Sequence, residues 1–327
     1  MNIFLSIFKL FPPELSHSIA LNSLNILNKL KILHLFVSNL KSENHEIHGL
    51  ILKNKLGTAA GLDKNGDFID CLGELGFGFL EVGTVTPLPQ AGNTKPRVFR
   101  LFNEQAVINR LGFNNKGIDH LVKNLKKRKF DGVVGVNIGA NKESRNQKRI
   151  DDYLKCLRKI STLSDYITIN ISSPNTPGLR DLHNQENIKK LVSSIQLEAK
   201  KVNFSGPIFL KISPDESFEI IKNIAEIVEE SSLAGLIVSN TTISKDLLKN
   251  KKDQIIEGGL SGAPLMDKST DLLKRLNDKY PNLTLIGAGG VMTKSDFNKK
   301  ILSGASLVQI YTGFIIKGPK IVEEILN

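Results

Sequence analysis

The sequence predicts an α/β protein, a single (β/α)8 barrel (the TIM-barrel fold) with an N-terminal helical extension. Eight apolar runs of strand length recur from Leu56 onward, amphipathic stretches separate them, and polar residues follow most of the runs. Nearly continuous apolar strands are typical of a parallel sheet that is covered on both faces. A barrel of about 250 residues plus an appendage accounts for the length of the chain.

The barrel elements follow one another along the chain. The predicted strands are LGTAA, FLEVGTV, VVGVNIG, YITINIS, IFLKIS, GLIVSN, LTLIGAGG and SLVQIYT. Outer helices are predicted in the amphipathic stretches after Asn115, Lys148, Gln185, Glu216, Lys268 and Lys294. The Pro-rich segment 87–113, between the second and third strands, is too long for a crossover helix alone. It predicts an inserted β-hairpin or loop over the barrel mouth.

We assign residues 1–50 to an N-terminal helical segment and residues 51–327 to the barrel. The N-terminal segment has an apolar start, then Pro12 and Pro13, then a helical pattern with Ile26, Leu30, Leu33 and Val37. It lacks the basic start of a secretion signal and falls short of the about 20 apolar residues that span a bilayer. The residues alone leave two interpretations, a helical cap on the barrel or an amphipathic element in a membrane surface.

Composition excludes several classes of function. The net charge is +11, but the lysines are scattered and few aromatic residues lie among them, so we expect no nucleic-acid partner. A positive field would still help to collect anionic ligands. Cys71 and Cys156 show no metal-ligand spacing, and we therefore expect neither a bound metal nor a disulfide.

The segment 167–180, ITINISSPNTPGLR, is the most informative part of the chain. A short apolar strand ends in amides and hydroxyls, and two prolines stiffen the following turn. Barrel enzymes place their substrates at such strand ends. Taken alone, the segment could be an ordinary strand and polar loop. Six further motifs accompany it in a fixed order: AAGLDK (59–64), NRLGFNN (109–115), VNIGAN (136–141), SNTT (239–242), GGLSG (258–262) and GAGG (287–290).

Together these motifs resemble the dihydroorotate dehydrogenases, from PPELSH near the start of the chain to YTGF near its end. Ser rather than Cys at position 173 resembles the membrane-associated, quinone-dependent class 2. The resemblance implies oxidation of (S)-dihydroorotate to orotate in pyrimidine synthesis, with FMN as hydride acceptor and a membrane quinone as final acceptor. It also implies a peripheral protein on the cytoplasmic face of the cell membrane. The alternative is a soluble class 1 enzyme that uses fumarate or NAD, which Ser173 and the long N-terminal segment oppose.

The expected cofactor site has two parts. No GxGxxG motif follows the first strand, which argues against a tightly bound dinucleotide. The FMN phosphate is expected at the ends of the last two strands, where backbone N–H groups can point at one anion. The residues chosen there are Gly262, Gly289, Gly290, Tyr311 and Thr312. The resemblance assigns the rest of the FMN site to Ala60, Gly61, Leu62, Asp63, Lys64, Thr84, Asn137, Asn170, Lys211 and Ser239.

Lys211 closes an otherwise apolar strand. A lysine that points into a barrel mouth needs an anionic partner. The negative charge of reduced FMN would be that partner.

The substrate carries a carboxylate and ring amides, and its recognition calls for side-chain amides and a cation. The resemblance assigns this role to Lys64, Asn109, Arg110, Leu111, Gly112, Phe113, Asn170, Asn175, Asn240 and Thr241. Ser173 matches the family's catalytic base, and Thr176 is expected to relay the proton through water. Serine is a poor base, and it must therefore lose its own proton in a site shielded from bulk water.

A quinone tunnel is implied under the N-terminal helices. His17 and Arg100 match the polar residues at that tunnel, and Tyr311 is expected to border it. From the residues alone, His17 would be a surface histidine near a helix start.

Overall fold

The computed structural model describes residues 10–37, 43–173, 175 and 184–327. The strands in these ranges are β1 (His45–Ile47), β2 (Leu50–Leu52), β3 (Leu56–Thr58), β4 (Phe79–Val85), β5 (Val98–Leu101), β6 (Ala106–Asn109), β7 (Val133–Ile138), β8 (Tyr166–Asn170), β9 (Ile208–Lys211), β10 (Gly235–Val238), β11 (Gly259–Gly262), β12 (Thr284–Ala288) and β13 (Leu307–Ile310).

Eight of these strands form a closed parallel barrel in chain order, β3, β4, β7, β8, β9, β10, β12 and β13. The last strand pairs with the first, with Val308 opposite Leu56, which closes the cylinder. Each of the eight predicted apolar runs contains one of these strands. The predicted (β/α)8 barrel is confirmed, because burial on both faces leaves little room for polar residues along the strands.

Helices surround the barrel. They are α1 (Pro13–Lys29), α2 (Ile69–Gly73), α3 (Ile118–Leu125), α4 (Asn146–Ile160), α5 (Gln185–Lys201), α6 (Phe218–Glu229), α7 (Lys251–Gln254), α8 (Met266–Lys279), α9 (Lys294–Leu302), α10 (Thr312–Lys317) and α11 (Lys320–Leu326). Their apolar faces pack on the strands, as Tyr153, Leu157 and Ile160 of α4 do. Cys71 and Cys156 are buried free thiols in these layers.

An aromatic cluster fills the amino end of the barrel. The ring of Tyr166 makes edge contacts with Phe79 and Phe209, at centroid distances of 6.3 and 5.9 Å. Leu52 of the antiparallel hairpin β1–β2 packs against the same cluster, a hairpin that the sequence analysis did not predict. Since side chains close this end, the carboxyl end of the strands is where a ligand can enter.

The predicted insertion over the barrel mouth is a β-hairpin, β5–β6. A third strand, β11, pairs with β6 in antiparallel register, with Gly259 opposite Asn109 and Gly262 opposite Ala106. The sequence analysis placed GGLSG in a glycine-rich site and did not predict that it forms a strand. The three-stranded sheet brings two distant segments of the chain together at the mouth.

The predicted single helical pattern from Ile26 to Val37 is wrong. Helix α1 ends at Lys29, and Lys31 has a left-handed backbone with φ of 57°. The N–H of Ile32 donates to the Leu27 carbonyl at 3.0 Å, a bond pattern that terminates helices. A short 3₁₀ helix, Leu33–Phe36, follows, and its Leu33 is buried while Leu30 is exposed. Within the described ranges, no helix is both long and apolar enough to cross a bilayer.

Candidate active site

The carboxyl ends of the barrel strands and the three-stranded sheet enclose one cavity. It contains about 1020 Å³ of space free of protein atoms, including its open mouth. The sequence-predicted residues that line it are Ala60, Gly61, Lys64, Thr84, Asn109, Leu111, Gly112, Phe113, Asn170, Ser173, Asn175, Lys211, Ser239, Asn240, Thr241, Gly262, Gly289, Gly290, Tyr311 and Thr312.

Several of the predicted residues do not line the cavity. The Asp63 carboxylate accepts the N–H groups of Asp67 and Phe68 at 3.0 and 2.8 Å, and it thereby fixes the loop after β3. Burial raises the pKa of Asp63 to about 6. Leu62 is a core residue. The Arg110 guanidinium pairs instead with Glu257 at 3.4 Å.

Ser173 sits at the tip of β8 and is 6% exposed. Its Oγ accepts the backbone N–H of Asn175 at 3.3 Å. On the neighbouring strand end, the Asn240 amide donates to Ser172 Oγ at 2.9 Å. The first bond holds the Ser173 hydroxyl at the cavity wall, and the second joins the adjacent Ser172 to the end of β10. The predicted relay residue Thr176 lies outside the described residues.

A buried hydrogen-bond network lies beneath the cavity floor. Thr84 Oγ1 donates to Asn137 Oδ1 at 2.6 Å, and Asn170 Nδ2 donates to Thr84 Oγ1 at 3.1 Å. Asn137, which does not line the cavity, donates in turn to the fully buried carboxylate of Glu81 at 2.9 Å. The network orients the amide of Asn170 toward the cavity.

Sequence analysis missed two members of this floor, Glu81 and Gln309. The Glu81 carboxylate also accepts bonds from Thr168 at 2.9 Å and from Gln309 at 2.8 Å. Gln309 lines the cavity, and its side-chain amide oxygen Oε1 is buried without a hydrogen-bond partner in the described structure. Glu81 stands in the middle of the apolar run FLEVGTV, and a charged residue in such a run indicates a buried carboxylate that needs hydrogen-bond partners.

Two lysines present positive charge to the cavity. Burial lowers the pKa of Lys211, which the charge of Glu81 partly counteracts. Burial lowers the pKa of the half-buried Lys64 to about 8, and the nearby Glu14 acts in the opposite direction. Among the described residues, neither ammonium forms a hydrogen bond or ion pair with a side chain. Both are therefore available to an anionic ligand.

Glycines form a cradle at one end of the cavity. Gly262 and Gly290 have left-handed backbones, with φ of +100° and +88°. A Cβ atom would lie 2.2 Å from the Gln105 carbonyl oxygen at the first position and 2.2 Å from Met266 Cα at the second. Only glycine fits this backbone geometry and this close packing. Gly262, Gly289 and Gly290 all line the cavity, and we call them the glycine cradle.

Helix α1 lies against the mouth of the site. The Glu14 carboxylate accepts from the buried Arg97 at 2.9 Å, a pair that the sequence analysis did not predict. Burial and the charge of Lys64 lower the pKa of the half-buried His17 to about 4. Arg100 donates to the Phe11 carbonyl at 2.5 Å. His17 and Arg100 therefore lie where α1 meets the barrel and its hairpin, rather than in the cavity lining.

Comparison with known proteins places this geometry in a family. The model of the family described as dihydroorotate dehydrogenase matches residues 43–327. The chain belongs to the dihydroorotate dehydrogenase family. The resemblance inferred from the motifs is confirmed, including the quinone-dependent class 2.

Two relatives of this family illustrate the similarity in sequence. A protein of Saccharophagus degradans named dihydroorotate dehydrogenase (quinone) is 45% identical over 323 residues, which are 97% of this chain and 95% of the relative. A protein of the same name from Aliivibrio fischeri is 44% identical, over 98% of this chain and 97% of the relative.

Two solved structures of DHODH from Eimeria tenella share the fold. The ligand-free form has a TM-score of 0.86 and 34% identity, and it covers 94% of this chain and 92% of that chain. The complex with ferulenol has a TM-score of 0.84 and 33% identity, over 95% and 89% of the two chains. The closed barrel of this chain therefore matches the fold of these structures, and an N-terminal helix precedes the barrel in this chain.

Proposed function

We propose that the protein oxidises (S)-dihydroorotate to orotate in pyrimidine synthesis, with FMN as cofactor and a membrane quinone as final electron acceptor. Relatives of nearly equal length with the name dihydroorotate dehydrogenase (quinone) support this activity. The observation that carries the proposal is the convergence of Ser173, four asparagine side chains and two lysines on one cavity.

The substrate's polar groups find complementary partners in this cavity. Asn175 donates to the carbonyl of Asn109 at 3.2 Å, which holds these two amides side by side. Asn170 at the end of β8 and Asn240 just past the end of β10 also line the cavity. Lys64 supplies the positive charge for the substrate carboxylate. Planar amides and a carboxylate are thereby matched by donors and acceptors from distant parts of the chain.

Ser173 would take the proton from C5 of dihydroorotate. Its Oγ is held in place by the Asn175 N–H and is largely shielded from solvent. A serine hydroxyl accepts a proton only if it gives up its own, and this requires an acceptor chain at the cavity wall. We assign that relay to Thr176 and water.

The residues present fit a flavin mononucleotide. The glycine cradle at Gly262, Gly289 and Gly290 lines one end of the cavity and suits a phosphate, because backbone N–H groups without side chains can approach an anion closely. Lys211 and the unsatisfied carbonyl oxygen of Gln309 lie on the cavity wall beyond the cradle. When bound, FMN would supply acceptance of the hydride from C6. Lys211 would stabilise negative charge at that end of the cavity.

The N-terminal segment supports contact with a membrane surface. Exposed apolar side chains in this segment include Leu10, Leu15, Ile26, Leu30, Leu35 and Phe36. Such a surface is worth about 25 cal/mol for each Å² buried in lipid. We assign residues 1–50 to a quinone and membrane unit, with His17 and Arg100 at the entrance, and we place the protein peripherally on the cytoplasmic face of the cell membrane.

Anaerobic spectroscopy of the purified protein tests the reaction. Dihydroorotate should bleach the absorbance of the bound flavin, and a quinone should restore it. The Ser173→Ala variant should bind dihydroorotate but bleach far more slowly. Absence of bound flavin, or a flavin that dihydroorotate leaves oxidised, would refute the proposal.

Membrane contact is tested separately with a variant that keeps the protein packing. Leu30, Leu35 and Phe36 are 62%, 70% and 68% exposed, and their joint replacement by Ser should abolish binding to anionic liposomes and slow turnover with long-tailed quinones. A matched control replaces Ile255 and Leu302, which are 84% and 88% exposed elsewhere on the surface. Equal liposome binding by both variants would contradict a membrane role for the segment.

A further inference from the structure

Lys300 of helix α9 carries a buried charge that the proposed reaction does not use. Its side chain is fully buried. Within the described residues, the ammonium makes one hydrogen bond, to Ser269 Oγ at 2.6 Å, and no ion pair. An ammonium has three donors, and its burial without a carboxylate is costly. A buried methionine would fill the same space at less cost, which indicates that the charge has a use.

The charged groups around Lys300 are engaged elsewhere. Asp267 of α8 pairs with Lys299 at 2.8 Å, and Asp296 caps α9 by accepting the N–H of Thr293 at 2.9 Å. Burial and, to a lesser extent, the charge of Lys299 lower the pKa of Lys300 to about 7, although Asp296 and Asp267 act in the opposite direction. Near neutral pH, a nearby anion can therefore decide whether this side chain is charged.

A short chain of contacts links Lys300 to the glycine cradle. Ser269 of α8, which accepts the Lys300 bond, lies 3.0 Å from the Gly289 carbonyl oxygen and 2.8 Å from that of Leu265. Ser269 therefore joins the start of α8 to the loop after β12. Gly289 and Gly290 of that loop line the cavity on its other side. One layer of backbone separates the Lys300 ammonium from the cavity end.

We propose that Lys300 is a positioning residue that favours the phosphate-bearing flavin, FMN, over riboflavin. Its ammonium holds Ser269 against the Gly289 loop and places a positive charge behind the phosphate cradle. This inference rests on the proposed function, since it requires FMN at the cradle. A dianionic phosphate favours the charged ammonium, and FMN binding is then coupled to uptake of a proton by Lys300. Riboflavin lacks the phosphate and gains nothing from this charge.

The test compares flavin affinity in three proteins, the wild type, Lys300→Met and the matched control Lys294→Met, which removes an exposed lysine from the same helix. Flavin is released from purified holoenzyme, and rebinding of FMN and of riboflavin is followed by fluorescence between pH 6 and 9. We expect Lys300→Met to weaken FMN binding about tenfold at pH 7, the equivalent of one unit of pKa change, and riboflavin binding less than about twofold. Lys294→Met should match the wild type in both.

The pH dependence gives a readout that a packing role would not move. Wild-type affinity for FMN should fall as pH rises above about 7, because the neutral lysine must first gain a proton. Lys300→Met should lose that part of the slope. Equal losses for FMN and riboflavin, or equal slopes in wild type and variant, would overturn the inference. A wild type that binds no FMN would instead overturn the proposed function.

If Lys300→Met does not fold, calorimetry on the wild-type protein tests whether FMN binding is coupled to proton uptake. Titration with FMN at pH 8 in two buffers of different ionisation enthalpy measures the protons taken up, at a pH where the phosphate is already doubly ionised. Uptake of a fraction of a proton with FMN and none with riboflavin supports the inference. No uptake with FMN overturns it.

Discussion

The ion pair between Glu14 and Arg97 should anchor helix α1 over the mouth of the site, and Glu14→Gln should loosen it. Arg97 Nε lies 3.2 Å from both Glu14 carboxylate oxygens, and Nη2 lies 2.9 Å from one of them. The same guanidinium donates to the carbonyls of Ala91 and Asn93 at 2.5 and 2.9 Å. One buried arginine thus joins α1 to the loop that precedes the hairpin.

The size of the effect follows from the burial of the two partners. Breaking a fully buried pair costs about 3–5 kcal/mol, and an exposed pair is worth about 0–1 kcal/mol. Arg97 is 7% exposed and Glu14 is 29% exposed, which places this pair between the two limits, at about 2 kcal/mol. With an unfolding entropy of about 2.1 cal/mol/K per residue, Tm should fall by about 3 °C.

The pH dependence has a definite sign. Burial raises the pKa of Glu14, but the hydrogen bond and charge of Arg97 outweigh burial and hold the pKa below its ordinary value of 4.5. The stability from this pair is therefore present above pH 4.5 and disappears as pH falls through the lower folded-state pKa. The Tm difference between the wild type and Glu14→Gln should shrink in that acidic range.

Thermal unfolding and two activity assays measure the outcome. Glu14→Gln should slow turnover with a long-tailed quinone while leaving flavin reduction by dihydroorotate close to that of the wild type. Glu257→Gln, which removes a pair whose glutamate is 85% exposed, is the matched control and should change Tm by less than about 1 °C. If the two variants unfold within 1 °C of each other, Arg97 does not anchor α1 through Glu14.

Other perturbations test the cavity itself. Ser173→Ala should slow flavin reduction in stopped flow by about 10²–10⁴-fold without loss of FMN, and an unchanged rate would remove Ser173 from proton transfer. Lys211→Met should make the flavin midpoint potential more negative by on the order of 30 mV, since a cation is lost, and a wild-type potential would show that this charge is not felt. Gly290→Ala should release FMN into the filtrate, because its Cβ would lie 2.2 Å from Met266 Cα, and full occupancy would contradict the cradle. The kcat/KM for dihydroorotate should fall above pH about 8 as Lys64 loses its proton, and a flat profile to pH 9 would exclude Lys64 from substrate binding.

The barrel could be predicted from sequence because strands that are buried on both faces consist of nearly continuous apolar runs. Strand β11 could not, since its pairing with β6 joins segments about 150 residues apart and its glycines favour a loop interpretation. The end of α1 could not be predicted either, because Lys31 occupies the left-handed position after the helix that is usually a glycine. Both misses depend on contacts that no local pattern contains.

The candidate site could likewise be predicted only in part. Motif positions predicted which residues meet at the cavity, but they did not predict which way each side chain points. Asn109 faces the cavity, whereas its neighbour Arg110 turns toward Glu257, as expected for consecutive residues of extended chain. Glu81 and Arg97 were missed because their importance comes from burial and from partners on other elements.

The charges of the site share one physical pattern. Lys64, Lys211 and Lys300 are drawn from three separate elements, and in each of them burial lowers the pKa. In the described structure none of the three ammonium groups is hydrogen-bonded to a carboxylate, and more distant carboxylates counteract the effect of burial on each pKa only in part. Bound anions would therefore offset a desolvation of these cations that the protein's own carboxylates offset only in part. A substrate carboxylate, an electron-rich flavin ring and a phosphate are three such anions, one for each lysine. Ligand binding should therefore increase the free energy of unfolding of the protein by mass action.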